Sequence, residues 1–374
     1  MANLRHPFIV GLNYAFQTTK QFFYIMDFVP GGEIYNRLAI HGAFDDETTR
    51  FYATEIVCAL EFLHFHSIVY RDLKPDNVLI AGDGHIKLSD FGLSKALPVA
   101  GHGHDADDDQ DMDGFCTDNH DRTRSSTRSC CGTLVYMAPE VVEKTPYGKA
   151  ADLWSLGAVI YDMLVGQPPF HVEVDAANFK VRKTRSRCGN TNTNRKATKY
   201  NILHCNYKFP AGISCKSQSL VNELLQLDVE HRLGGYEADF DLIRGHEFFQ
   251  GIDWSLGGLR QIRPPFIPNL QSPTDVSHFD EEHTMDSKDT GVTIVASFSR
   301  PRYNAAMQEA MLPVEGGGIA TTPQPYIDHF DYTSPFLFRA NCGRPDVHAM
   351  AMAASEATEA APSATSGLAV HDTI

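Results

Sequence analysis

An acid, a cation and an amide sit on one short stretch of this chain, Val69-Tyr70-Arg71-Asp72-Leu73-Lys74-Pro75-Asp76-Asn77-Val78-Leu79-Ile80, and Asp90-Phe91-Gly92 follows soon after. Those residue types suit the transfer of a phosphoryl group. That reaction needs a group to take or orient a hydroxyl proton, neutralised phosphate charge, and in-line positioning. Asp72 can serve the hydroxyl, and Lys74 can reach the same phosphoryl group and balance its charge. Asn77 offers a neutral carbonyl oxygen and Asp90 a carboxylate, hard donors of the kind Mg²⁺ prefers. Asp-Leu-Lys-Pro by itself is equally an ordinary turn. The reading rests on the joint order of these blocks with Ala138-Pro139-Glu140 further on.

The elements that must hold these side chains are legible around them. Asp45-Asp46-Glu47 supplies a cap and first-turn acids for a helix running to about Ser67. Ile56, Leu60 and Leu63 fall at i, i+4 and i+7 and predict one buried stripe on it. Val78-Leu79-Ile80 and His85-Ile86-Lys87-Leu88 flank Ala81-Gly82-Asp83-Gly84, which predicts a hairpin. Phe8-Ile9-Val10-Gly11-Leu12 and Phe22-Phe23-Tyr24-Ile25-Met26 predict two strands, and Pro30-Gly31-Gly32 ends the second. An apolar segment from Lys149 to Val165 predicts a mostly buried helix. Leu97 to Thr127 and His171 to Asn194 read as long polar insertions. Gly316-Gly317-Gly318 marks another break, and the Ala-, Thr- and Ser-rich stretch past Phe338 reads as disordered.

Composition narrows the function classes. At 374 residues, 43% hydrophobic and 21% charged, the chain can build a sizeable core. A net charge of −15 argues against a general polyanion binder, so no nucleic-acid partner is expected. Eight cysteines show no C-x-x-C pair and no secreted framework spacing, which fits reduced thiols. No run approaches the roughly 18 apolar residues of a membrane span, and no apolar signal segment opens the chain. The expected location is cytoplasmic. A nuclear one rests on the basic run Val181 to Arg187, for which a solvated insertion is the favoured reading.

Taken together the blocks resemble the eukaryotic protein kinase family, and more narrowly its AGC group. The ribosomal S-six kinases are closest in wording. His6-Pro7-Phe8-Ile9-Val10 is similar to the entry of the fourth small-lobe strand, and Met26-Asp27-Phe28-Val29-Pro30-Gly31-Gly32-Glu33 to the gatekeeper and hinge. Tyr70-Arg71-Asp72, Cys131-Gly132-Thr133, Tyr136-Met137-Ala138-Pro139-Glu140, Asp152-Leu153-Trp154-Ser155-Leu156-Gly157, Pro168-Pro169-Phe170 and Arg263-Pro264-Pro265-Phe266 carry the likeness to about residue 280. It implies an α+β kinase-like fold with a mainly helical large lobe and an incomplete β small lobe. The division it implies is small lobe and hinge at 1–30 and large lobe at 31–249, with insertions at 97–127 and 171–194. A tail at 250–338 and a disordered end at 339–374 complete it.

The resemblance also implies roles. The chain would use ATP and Mg²⁺ to phosphorylate Ser or Thr in protein substrates with basic residues near the acceptor. Met26 would be the gatekeeper, with the backbone of Asp27 and Val29 on the adenine edge and Phe279 closing the pocket. Glu33 would meet the ribose or a basic substrate residue, and Asp76 basic residues upstream of the acceptor; the alternative for each is a solvated surface carboxylate. Glu140 would pair with Arg232. Ser129 falls where the group carries an activation-segment phosphosite for an upstream kinase, and a phosphate there could order the loop through Arg71; Ser125, Ser126 and Thr127 are its neighbours. Phe298-Ser299 and Phe330-Asp331-Tyr332 compete as the hydrophobic tail motif, with a phosphorylatable Ser299 or a built-in Asp331. Thr284 and Ser287 are turn-motif candidates.

Four departures from the pattern bear on these expectations. Val135 stands where a glutamate is usual, which unsettles the substrate-binding loop. The acidic insertion Asp105 to Asp113 reads as a solvated loop or a partner site, and His102 and His104 beside it as polar loop residues. The basic run Val181 to Arg187 is the third. The fourth is that neither G-x-G-x-x-G-x-V nor V-A-I-K lies before the catalytic loop. Efficient transfer needs the lysine–glutamate pair as well as the aspartate–Mg²⁺ contact. The 374-residue chain is therefore expected to bind ATP weakly and turn over poorly. An alternative reading is a pseudokinase scaffold.

Overall fold

The structure, a computed structural model, describes residues 4–17, 22–97, 126–127, 129–172, 192–235, 238–279 and 332–333. Strands β1 (Leu12–Gln17) and β2 (Phe22–Met26) pair antiparallel, with Leu12 opposite Met26 and Gln17 opposite Phe22. The first strand therefore starts where the sequence reading had it end. Phe8, Ile9 and Val10 are three consecutive buried residues, at 1%, 2% and 3% exposure, so they do not alternate between a wet and a dry face. They plug the segment against the large lobe instead: Val10 N–H donates to Leu88 O at 2.9 Å and Leu88 N–H to Phe8 O at 2.9 Å. The edge of the sheet beside β1 is occupied by Tyr332–Thr333 from the tail, which pairs with Tyr14 and Ala15.

Beyond the hinge come α1 (Ile34–His41) and α2 (Asp46–Phe65). Asp45 caps α2 by accepting the Thr48 N–H at 2.8 Å, which also holds its carboxyl below the usual carboxylate range. The helix stops just short of Ser67, whose φ of 57° turns the chain out of the helical region. Ile56, Leu60 and Leu63 are fully buried, but every residue from Phe51 to Leu60 is buried as well. The helix is thus enclosed on more than the one expected stripe, between the later helix Ala150–Val165 and the strands Ile68–Val69 and Ile86–Leu88.

Strand β3 (Ile68–Val69) leads into the catalytic loop, and β4 (Val78–Ile80) and β5 (Ile86–Leu88) form the hairpin behind it, Val78 opposite Leu88. Glu55 of α2 fixes that hairpin from below, accepting Ile86 N–H at 2.8 Å and meeting His85 Nδ1 at 2.5 Å. β6 (Lys95–Ala96) pairs with β3. Helix α3 (Pro139–Glu143) follows the activation segment, and α4 (Ala150–Val165) runs through the core, buried nearly all round. α5 (Asn192–Leu203) begins before the end expected for the second insertion. α6 (Cys215–Leu224), capped by Ser214, covers another side of α4. α7 (Phe240–Gly245) and α8 (Leu256–Leu259) complete the lobe. Among the described residues no helix is long and apolar enough to cross a membrane.

Candidate active site

The catalytic loop is hung from a buried carboxylate. Asp152, in α4 and wholly buried, accepts the Tyr70 N–H on Oδ2 and the Arg71 N–H on Oδ1 at 2.8 Å each, and His64 Nε2 lies 2.7 Å from the same Oδ2. Arg71 takes φ of 69°, which turns the next residue out of the strand. That residue is Asp72, at 6% exposure. Its Oδ1 accepts the Thr133 N–H at 3.0 Å and the Thr133 hydroxyl at 3.3 Å. Its Oδ2 lies 3.2 Å from Lys74 Nζ and accepts Asn77 Nδ2 at 3.2 Å. Lys74 Nζ also donates to Thr133 Oγ1 at 3.3 Å. The activation segment comes this close because Gly132 has φ of 101° and no Cβ; one placed there would lie 2.7 Å from the Arg71 carbonyl oxygen.

Asn77 and Asp90 are brought to the same side. The Asn77 amide nitrogen donates to Asp72 O at 2.8 Å and to Asp72 Oδ2 at 3.2 Å, and the amide oxygen is the neutral donor of this side chain that a cation could use. Ser89 N–H donates to Asn77 O at 2.9 Å, which draws the chain carrying Asp90 against the loop. Asp90 sits at φ of 50°, with Oδ1 accepting the Gly92 N–H at 3.2 Å. Phe91 is buried edge-on to Tyr70, the ring centroids 5.3 Å apart. An amide oxygen and a carboxylate are donors that fit Mg²⁺.

The hinge residues lie beyond this loop. Asp27 N–H donates to Gly11 O at 2.9 Å, and its carboxylate accepts Gly11 N–H and Asn13 Nδ2. Tyr24, Met26 and Phe28 alternate along one face and are 51%, 39% and 36% exposed, an apolar strip open on that side. The Val29 side chain is buried. Glu33 is buried too, at 6%, and bridges to Leu79, so it is no solvated surface carboxylate. Asp76 is half-buried. Phe279 returns from the tail to lie 6.3 Å from the Phe28 ring.

Residues 1–249 match the family described as Protein kinase domain. The chain belongs to the protein kinase family. The chain is 36% identical to Serine/threonine-protein kinase Sgk3 of Rattus norvegicus over 310 residues, 83% of this chain and 53% of that protein. It is 37% identical to Sgk2 of Homo sapiens over 295 residues, 78% of this chain and 68% of that protein. With Sgk1 of Danio rerio it shares 38% over 284 residues, 76% of this chain and 55% of that protein. The kinase chain thus spans about half the length of Sgk3. These relatives support the AGC group; they bear the Sgk name and do not single out the ribosomal S-six branch.

Ser129 is drawn into the network of the loop that carries Asp72. Arg71 Nη1 donates to Ser129 Oγ at 2.5 Å, Tyr147 OH donates to Ser129 O at 2.6 Å, and Thr127 bridges to Tyr147. Ser125, Thr284, Ser287, Phe298, Ser299, Phe330 and Asp331 lie outside the described residues, as do His102, His104 and the runs 105–113 and 181–187. Sequence reasoning gave no role to Asp152, His64 or Thr133. For Asp152 a signal existed, an acid inside an apolar helix, which must find donors when buried. Nothing in the sequence paired it with His64.

Proposed function

We propose that this protein transfers the γ-phosphoryl group of ATP to Ser and Thr hydroxyls flanked by basic residues. The observation that carries this is Asp72, held at once by Thr133, Lys74 and Asn77 beside Asp90. The acceptor oxygen bonds to the γ-phosphorus as the bond to the bridging oxygen breaks, so ADP leaves with the electron pair. Asp72 receives or orients the hydroxyl proton, and Lys74 balances charge on the phosphoryl oxygens. Asn77 and Asp90 would hold Mg²⁺, which would neutralise phosphate charge. Lys74 tied to Thr133 supports Ser and Thr over Tyr, and the Glu33 and Asp76 carboxylates support basic flanks. The longest natural product carrying this chain, given radiolabelled ATP, should label a Ser peptide with upstream Arg and leave Tyr and acidic-flanked peptides unlabelled. Nucleotide binding without labelling of any peptide would favour the scaffold reading.

A phosphate on Ser129, bringing about −1.5 to −2 charge beside Arg71, is proposed to order the activation segment. Treatment with an upstream kinase should raise peptide phosphorylation about tenfold, the factor expected of one charge-assisted contact. Ser129→Ala should abolish that rise, with phosphate stoichiometry read by mass spectrometry. Full stimulation of Ser129→Ala would move the site to a neighbour such as Thr127. In the tail, the pairing of Tyr332–Thr333 with β1 supports the segment containing Asp331 as the docking one. Asp331→Lys in the same assay should lower activity, and no change would return the role to Ser299.

A further inference from the structure

Arg37 stands on α1 and begins a run of contacts that ends on the hinge. Its guanidinium lies 3.6 Å from the centroid of the Phe266 ring. That ring meets the His278 imidazole at 6.2 Å and 79°, an edge-on contact. The His278 carbonyl lies against the start of α1: Asn36 Nδ2 is 3.5 Å from it, and a Cβ on Gly32 would be 2.4 Å from it. Gly32, at φ of 77°, is therefore what lets the tail come so close. The next residue is Phe279, whose ring lies 6.3 Å from Phe28. The turn between is internally stiff. Asp275 accepts Ser277 N–H at 2.8 Å and Gln271 N–H at 2.7 Å, and Phe279 N–H donates to Val276 O at 3.0 Å.

A stiff turn has to be held at its base to place its tip. The contacts at the tip are a tilted ring pair and one long amide bond, both weak. At the base a cation lies on a ring face, a directional contact that strengthens where water is excluded. We infer that Arg37 is a positioning residue for the nucleotide pocket, seating Phe279 on the hinge through Phe266 and His278. The inference rests on the kinase reading above, with Phe279 as one wall of the adenine site.

The experiment uses the full chain with Arg37→Met, Arg37→Lys and Phe266→Leu. Hydrogen exchange at the Ser277 and Phe279 amides should quicken about 3- to 10-fold in Arg37→Met and Phe266→Leu, the size a partly desolvated cation–π contact supports. Arg37→Lys, which keeps a cation, should recover most of the protection. The KM for ATP should rise about 3- to 10-fold in Arg37→Met while kcat at saturating ATP stays within about twofold, the signature of lost uniform binding. Unchanged exchange in both Arg37→Met and Phe266→Leu overturns the clamp, and quickened exchange with an unchanged KM overturns the positioning role. A parent chain that phosphorylates nothing overturns the kinase reading instead, and the exchange measurement then decides the clamp by itself.

Discussion

Asp72→Asn is expected to lower kcat for peptide phosphorylation by about 10²–10⁴-fold, the contribution of a positioned proton acceptor, with the fold intact. Asparagine has the size of aspartate, and its oxygen can still accept the Thr133 N–H that Asp72 accepts at 3.0 Å. It cannot take a hydroxyl proton. Its nitrogen would also face Lys74 Nζ and Asn77 Nδ2, donors that now share Asp72 Oδ2 at 3.2 Å each. Lys74 would swing fully to Thr133 Oγ1, already 3.3 Å away. Positioning alone would give a smaller effect. Losing one neutral hydrogen bond removes about 0.5–1.5 kcal/mol, a factor of roughly 2 to 13. Steady-state kinetics with saturating ATP and thermal unfolding of the variant separate the two. Activity retained above about a tenth of the parent, with an unchanged KM, would reduce Asp72 to a scaffold for Thr133.

Much of this site could be read from the sequence because its parts are contiguous. Asp72, Lys74 and Asn77 share one loop, and a loop bounded by a capped helix and a hairpin has few ways to run. The contacts that aim the loop were not legible, since they join residues far apart: Asp152 to Tyr70 and Arg71, and Thr133 to Asp72. Spacing rules speak only of near neighbours. The misplaced first strand has a different cause. Phe8, Ile9 and Val10 have strand-forming types, but a segment buried on all sides by tertiary packing gives no alternation to fix its pairing. The tail strand beside β1 escaped notice for a third reason. Two residues, Tyr332–Thr333, are too short to carry a periodic signal, and their pairing depends on a partner more than 300 residues earlier.

Arg232→Met should destabilise the fold by about 3–5 kcal/mol, the loss typical of breaking a buried ion pair, and lower the midpoint of thermal unfolding by roughly 6–20 °C at about 2–4 °C per kcal/mol. Arg232 has no exposed side-chain surface. It grips Glu140 with two nitrogens, at 2.7 and 3.0 Å, and donates to the carbonyls of Ala150 and Gln226. Its guanidinium also lies over the Trp154 ring at 5.3 Å. Methionine fills much of the volume but leaves a carboxylate at 10% exposure with its cation gone. If that stranded charge is the main penalty, Arg232→Met with Glu140→Leu should be more stable than Arg232→Met. It should still fall below the parent by about 1–3 kcal/mol for each buried carbonyl left unpaired. A double variant no more stable than the single one would assign the penalty to the Ala150 and Gln226 carbonyls instead. The consequence reaches the catalytic loop. Glu140 anchors the first turn of α3, and the segment leading into it carries Thr133. Loosening α3 loosens the two bonds by which Thr133 holds Asp72, so Arg232→Met should lose peptide phosphorylation on warming before it unfolds. Activity and unfolding followed on one temperature ramp would show whether the two transitions separate.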